Sequence, residues 1–238
     1  MTEQDHRVAT DMDFDALYRG EQPSEDLQLD CVPWDIGAPQ PAIVALEESG
    51  ALRGSILDIG CGLGDNALFL AERGHRVTGV DGSPTALGKA REKAGARGLD
   101  VRFVQSDATT LEGVEPGFDT VVDSALFHCL APEQRSAYAE AIHRVTNPGA
   151  VLHLICFGGE DPGATLQPIS KEELHTALDP RWDITGIEPA SYSSGFTKET
   201  ISQVSEVTDA IGVEPEKLSY DEQGHAVIAM WQLRAVRR

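Results

Sequence analysis

The sequence predicts an α/β fold built on a doubly wound, mainly parallel sheet. Apolar, β-branched runs alternate with segments of helical periodicity, and the connections between them are short. This alternation is typical of βαβ units and a parallel sheet. The run at 150–157 is almost continuously apolar, as expected for a strand that is covered on both faces.

The individual elements follow from periodicity and from their end signals. Pro41, Pro84 and Pro132 occupy predicted first turns, where a missing N–H is tolerated. Ser170 and Glu173 form a capping-box pattern. The predicted strands are 54–59, 76–81, 101–105, 118–123, 150–157, 182–189 and 224–236. The predicted helices are 12–20, 41–50, 65–73, 84–97, 132–146, 170–178 and 197–212.

Composition narrows the function classes. The 238 residues carry 39 acidic and 19 basic side chains, a net charge of −20. Such a charge repels nucleic-acid phosphates and anionic lipid, so we expect no nucleic-acid or membrane partner. The acidic N-terminus lacks the regions of a signal peptide, which favours a cytoplasmic protein. The four cysteines have no metal-ligand spacing, so no metal is expected.

A glycine turn follows the first strand and marks a ligand site. Gly60, Gly62 and Gly64 stand at alternate positions, and a dinucleotide GxGxxG motif beginning at Gly60 would require glycine where Asp65 stands. Asp58 opens the turn, and a carboxylate there is unfavourable for a pyrophosphate. It suits a ligand with a cationic amino group, such as S-adenosylmethionine.

Two further acids end the next strands. Asp81 is placed to accept both ribose hydroxyls, as in NAD and adenosylmethionine sites alike. Asp107 is placed to accept from an adenine amino group, with the Ala108 N–H near a ring nitrogen. Helix capping is the alternative role for both acids.

These motifs resemble those of the class I S-adenosylmethionine-dependent methyltransferases. LDIGCGLGDNA, VTGVDGSP, VQSDA, FDTVVDSALFHCL and NPGAVLHLICF are similar to successive motifs of that family. The resemblance implies a Rossmann-like, seven-stranded sheet whose last strand runs antiparallel in a hairpin with the sixth. It also implies cofactor contacts, and our full predicted set is Trp34, Asp58, Gly60, Cys61, Gly62, Asp81, Gly82, Asp107, Ala108 and Ser124.

The segment VPWDIGAPQPAI resembles the thiopurine and thiol methyltransferase-like branch, which includes TehB-like proteins. In that branch the tryptophan segment covers the cofactor, so Trp34 is expected as a lid or as a plug at the core edge. The motifs look most like those of actinobacterial heterocyclic-toxin methyltransferases. This implies methyl transfer to O, S or N of a small aromatic heterocycle or thiol, in detoxification or natural-product tailoring.

We expect a flexible or lid segment at 1–31 and one methyltransferase domain at 32–238, with a variable insertion at 193–222 on the acceptor side. His128 lies just past the fourth strand, where it is a candidate base or acceptor-orienting group. A non-catalytic S-adenosylmethionine- or S-adenosylhomocysteine-binding regulator is the alternative function, and an NAD-dependent oxidoreductase is a third. The partner is expected to be a small-molecule acceptor, and monomer and homodimer stay open.

Overall fold

The computed structural model describes five stretches of the chain: 12–22, 29, 31–158, 168–201 and 218–238. The expected flexible residues 1–11 and most of the predicted helix 197–212 lie outside the described residues. Within them, no helix is long and apolar enough to cross a membrane.

A single mixed sheet organises the fold. Its strands are β1 (Ser55–Ile59), β2 (Arg76–Asp81), β3 (Arg102–Gln105), β4 (Phe118–Ser124), β5 (Thr146–Phe157), β6 (Trp182–Thr197), β7 (Ser219–Tyr220) and β8 (His225–Arg237). The main order is β3-β2-β1-β4-β5-β8-β6, with β7 paired to β8. Strands β1 to β5 pair in parallel, and β8 lies antiparallel between β5 and β6. The predicted doubly wound sheet and its antiparallel last strand are confirmed.

Helices cover both faces of this sheet. They are α1 (Phe14–Arg19), α2 (Pro41–Glu48), α3 (Asp65–Glu72), α4 (Pro84–Arg97), α5 (Arg135–Val145), α6 (Lys171–Leu178) and the short α7 (Lys198–Ile201). One core layer contains Leu68 of α3 and Leu87 of α4, and the other contains Ile142 of α5 and Leu174 of α6. The carboxyl ends of the parallel strands are left facing one edge, where ligands bind in open α/β sheets.

Two strands are longer than the sequence pattern predicts. β5 begins at Thr146, so it includes the predicted Asn-Pro-Gly turn, with an irregular register against β4. β6 continues eight residues past Pro189, because Ala190 to Thr197 keep pairing with β8. Those residues are mostly small and polar and lack the apolar alternation of a strand, so the pattern gave no signal. The first five residues of the segment 193–222 therefore belong to β6.

Candidate functional site

A cavity of about 710 Å³ opens at the carboxyl edge of the sheet. It lies where β1 to β4 end, and α1 and Trp34 form its opposite wall. Its volume is within the range of roughly 300–1,000 Å³ that small-molecule and cofactor sites occupy. The predicted residues that line it are Trp34, Gly60, Asp81, Gly82, Asp107, Ala108 and Ser124.

The glycine turn is shaped by close approaches that only glycine permits. Gly60 and Gly62 have φ of +72° and +50°. A Cβ on Gly60 would lie 2.7 Å from Leu126 Cβ, and one on Gly62 would lie 2.7 Å from the Tyr18 hydroxyl. The turn is thus fitted against the segment after β4 on one side and against α1 on the other, and its bare main chain faces the cavity.

Asp81 at the end of β2 connects the glycine turn to α4. Its Oδ2 accepts the Gly62 N–H at 2.8 Å, and its Oδ1 accepts the Ser83 N–H at 2.8 Å. Burial is the main cause that raises its pKa above the ordinary value, while these hydrogen bonds act in the opposite direction. The carboxylate therefore fixes the shape of the turn and lines the cavity at the same time.

Asp107 follows β3 and is exposed in the cavity wall. Its Oδ1 accepts two hydrogen bonds from Thr109, from the N–H at 2.7 Å and from the hydroxyl at 2.6 Å. This local turn orients the carboxylate. Ala108 lies beside it in the same wall.

Asp58 is not brought to the cavity. It is 1 % exposed at the end of β1, and neither carboxylate oxygen makes a well-formed hydrogen bond within the described part of the chain. Burial raises its pKa to about 7, and the negative charges of Asp123 and Asp81 add to the shift. The sequence placed Asp58 against the ligand, whereas its side chain lies beneath the turn.

Asp123 on β4 is also buried but has three donors. Its Oδ1 accepts the Leu126 N–H at 2.9 Å and the Phe127 N–H at 3.3 Å, and its Oδ2 accepts the Tyr138 hydroxyl at 2.7 Å. Burial raises its pKa to about 6 in spite of these hydrogen bonds. Asp123 therefore shapes the segment after β4, in line with the structural role expected for it.

A second, smaller cavity of about 50 Å³ lies on the other side of the glycine turn. Cys61 and Gly62 line it, and Trp34, Gly60 and Ser124 line both cavities. The Cys61 side chain packs in the core, because a Cβ on Gly79 of β2 would lie 2.9 Å from its Sγ. Burial raises the pKa of this thiol well above its ordinary value, so Cys61 contributes its main chain to the site and not a thiolate.

Trp34 and α1 form the wall opposite the strand ends. Trp34 Nε1 donates to the Tyr18 hydroxyl at 2.7 Å, and the Trp34 ring lies 5.5 Å from the Phe14 ring. Lys89 of α4 donates to the Tyr18 carbonyl at 2.5 Å. Trp34 also packs against the core, so the two roles left open by the sequence, plug and lid, occur in one side chain.

Asp15 fastens α1 to the start of α4. It accepts hydrogen bonds from the Ser83 hydroxyl, from the Thr85 N–H at 3.1 Å and from the Thr85 hydroxyl at 3.1 Å. The Ser83 hydrogen bond is the main cause that lowers the pKa of Asp15 below its ordinary value. A carboxylate at a helix N-terminus is favoured by the helix dipole.

His128 is absent from the lining of both cavities. Its Nδ1 accepts the Phe157 N–H at 3.1 Å, and its ring packs edge-on against the Phe157 ring. Burial, with a smaller contribution from the Arg135 charge, lowers its pKa to about 4. A neutral imidazole that accepts at Nδ1 carries its proton on Nε2 and can only donate there.

Several lining residues were not identified from the sequence. Tyr18 and Phe14 stood on the apolar side of a predicted helix, but nothing in the chain order placed that helix over the site. Cys129 is half-buried in the large cavity, and burial raises its pKa to about 12. The other lining residues missed include Ser83, Gln105, Ser106, Leu126, Leu130, Gln134 and Tyr192. Across the described residues, no group of three His, Cys, Asp or Glu side chains could hold a metal ion.

Comparison with known proteins gives a consistent set of relatives. A methyltransferase domain model matches residues 56–149. The 2-heptyl-1-hydroxyquinolin-4(1H)-one methyltransferase of Mycobacteroides abscessus is 39% identical over 189 residues, which cover 76% of this chain and 82% of that protein. Probable thiol methyltransferase 2 of Arabidopsis thaliana is 31% identical over 152 residues, which cover 62% of this chain and 67% of that protein.

A solved structure from work on the conversion of a disulfide bond into a thioacetal group during echinomycin biosynthesis is also similar. It superposes with a TM-score of 0.74 at 36% identity, covering 94% of this chain and 90% of that chain.

Proposed function

We propose that this chain, which belongs to the class I S-adenosylmethionine-dependent methyltransferases, methylates an acidic O, S or N heteroatom of a small aromatic heterocycle or thiol. The observation that carries the proposal is that one cavity joins Asp81, Asp107 and the glycine turn beneath a wall formed by α1 and Trp34. The similarity to a hydroxyquinolone and to a thiol methyltransferase supports the acceptor class. Detoxification or natural-product tailoring is the corresponding biological setting.

S-adenosylmethionine is the cofactor, and the residues of the site fit it. Asp81 and Asp107 offer carboxylate oxygens at successive strand ends, which suit the ribose hydroxyls and the adenine amino group. We assign the amino-acid end to the main chain of Gly60, Cys61 and Gly62, where a Cβ would close the space. When bound, the cofactor supplies a methyl group on a sulfonium leaving group that needs no further activation.

The protein's main task is therefore to position the acceptor and to exclude water. Displacement on a methyl group needs the nucleophile close and in line, which is what a closed, preformed cavity provides. Trp34, Tyr18 and Phe14 cover the cavity with aromatic surface. We propose that this cover keeps solvent from the reacting atoms.

We propose that the acceptor arrives ionised. His128 is the candidate base from the sequence, but its Nδ1 already accepts a backbone N–H and its low pKa reflects burial. Cys129 has a raised pKa and stays a thiol near neutral pH. His128 therefore enters the proposal as a group that orients the segment after β4 and the acceptor side, and the proton of the acceptor is lost to solvent before binding.

The test is methyl transfer from labelled S-adenosylmethionine to 2-heptyl-1-hydroxyquinolin-4(1H)-one and to thiophenol, with release of S-adenosylhomocysteine as a second readout. We expect turnover of at least one acceptor, with kcat/KM rising with pH up to the pKa of that acceptor. Binding of S-adenosylhomocysteine without turnover of a wider panel of thiols, hydroxyquinolones and flavonols would contradict the enzyme function and favour a regulatory protein.

A further inference from the structure

The second half of β6 forms an arm that packs against the Trp34 loop. From Tyr192 to Phe196 the strand changes from alternating to nearly continuous burial. Gln40 pairs with Ser193 through both ends of its amide: its Nε2 donates to the Ser193 carbonyl at 2.8 Å and its Oε1 accepts the Ser193 N–H at 3.3 Å. The Gly195 N–H donates to the Pro33 carbonyl at 2.7 Å. The arm is thus held firmly at the site.

This arm carries Tyr192 to the point where the two cavities meet. Tyr192 is 5 % exposed and lines the smaller cavity together with Trp34, Gly60 and Ser124. The last three residues also line the larger cavity. The Tyr192 hydroxyl interacts with Ser124 Oγ, and Ser124 otherwise has no hydrogen-bond partner among the described residues.

The two hydroxyls lie between the groups assigned to the two ends of the cofactor. Asp81 and Asp107 are on one side of this junction, and the main chain of Gly62 is on the other. In S-adenosylmethionine the reactive methyl group is on the sulfur that joins these ends. A polar side chain at the junction is therefore next to the place where an acceptor atom must be presented.

We propose that Tyr192 is a hydrogen-bond donor that contacts the acceptor heteroatom and favours oxygen over sulfur nucleophiles. This inference rests on the proposed function. Burial raises the pKa of Tyr192 above its ordinary value, so the phenol stays neutral and donates its proton in a hydrogen bond. An oxyanion is a strong acceptor of such a bond, whereas sulfur is a weak one.

The experiment compares the wild-type enzyme with Tyr192→Phe, which keeps the ring and removes the hydroxyl. Ser193→Ala is the matched control, because its hydroxyl donates to Asp221 at 2.8 Å and lines neither cavity. Calorimetry gives the affinity for S-adenosylhomocysteine, and then the affinity of that complex for 2-heptyl-1-hydroxyquinolin-4(1H)-one. Initial rates give kcat/KM for this acceptor and for thiophenol.

In Tyr192→Phe we expect hydroxyquinolone affinity and kcat/KM to fall about tenfold or more, as for loss of a hydrogen bond to a charged group. The thiophenol value should change less than about threefold, because sulfur accepts hydrogen bonds weakly. S-adenosylhomocysteine affinity should stay within about twofold, and Ser193→Ala should leave all values within that range, because neither change removes a contact assigned to the cofactor.

An equal loss for both acceptors, or an equal loss of S-adenosylhomocysteine affinity, would indicate a packing role and overturn the proposal for Tyr192 alone. Failure of the wild-type enzyme to bind or methylate either acceptor would overturn the proposed acceptor class, and this inference with it.

Discussion

Trp34 donates its indole N–H to the Tyr18 hydroxyl across 2.7 Å, and this pair connects the loop before the first strand to helix α1. The same hydroxyl is the atom nearest to a Cβ built on Gly62, so the pair lies directly over the glycine turn. Four predictions follow from this contact and from the carboxylates around it.

The first prediction concerns the aromatic cover. Trp34→Ala should weaken S-adenosylhomocysteine binding about tenfold or more, because it removes a large apolar surface over the cavity. Tyr18→Phe keeps the ring and loses one neutral hydrogen bond, so a loss of about fivefold is expected. Calorimetry measures both affinities, and ligand binding should change the Trp34 fluorescence. Unchanged affinity in Trp34→Ala would refute the cover.

The second prediction concerns Asp81. In Asp81→Asn the amide nitrogen cannot accept one of the two N–H groups, from Gly62 or from Ser83, that the carboxylate accepts. We expect S-adenosylhomocysteine affinity to fall by on the order of 2 kcal/mol, through loss of a charged acceptor and distortion of the turn. Asp107→Asn is the matched comparison, and it should cost less because that side chain is exposed. Near-normal affinity of Asp81→Asn would show that the site is misplaced.

The third prediction concerns the attachment of α1. Asp15→Ala removes the acceptor for the Ser83 hydroxyl and for the Thr85 N–H, so the helix should separate from α4 more often. The dissociation rate of S-adenosylhomocysteine should rise about tenfold, in stopped-flow fluorescence. Glu21→Ala serves as the control, because Glu21 also pairs with Arg19 but is exposed. Equal effects of the two substitutions would mean that only the lost charge matters.

The fourth prediction concerns the pH dependence of folding. The pKa of Asp58 is raised to about 7, so the folded protein holds this proton more tightly than the unfolded chain does. Its contribution to stability is therefore complete below the unfolded pKa and is lost as the pH rises towards and through about 7. Between about pH 5 and about pH 8, ligand-free wild type should lose about 2 kcal/mol relative to Asp58→Asn.

Denaturant unfolding of both proteins at several pH values measures this difference. Asp123→Asn provides a control of opposite sign, because Asp123 accepts three hydrogen bonds and its amide cannot replace them all. It should be destabilised throughout the pH range. Parallel curves for wild type and Asp58→Asn would contradict the buried, proton-holding state of Asp58.

Much of the fold could be predicted because its signals are local. Strands such as 76–81 and helices such as 84–97 carry their own apolar pattern and end residues, and the structure reproduces their bounds. The glycine turn, Asp81 and Asp107 were identified for the same reason: each follows directly on a strand, and the ends of parallel strands meet at one edge.

The parts that were missed depend on contacts between distant segments. Tyr192 reaches the site because β6 extends along β8 and packs against the Trp34 loop, and nothing in SYSSGF announces a strand. Asp58 was placed against the ligand because period and position do not reveal on which side of a turn a side chain lies. His128 was placed near the cavity by its distance from β4, whereas packing against Phe157 directs it elsewhere.

The pairing of Gln40 with Ser193 joins positions that are 153 residues apart in the chain. Gly195 adds a second such tie, because a Cβ there would lie 2.4 Å from the Val32 carbonyl oxygen. Contacts of such long sequence separation form late, since the closure of a long loop must precede them. During synthesis the nucleotide-like half of the site can therefore form as soon as β1 to β4 have left the ribosome, but its cover gains its support only after β6 has emerged. Nascent chains should consequently acquire cofactor affinity in one late step.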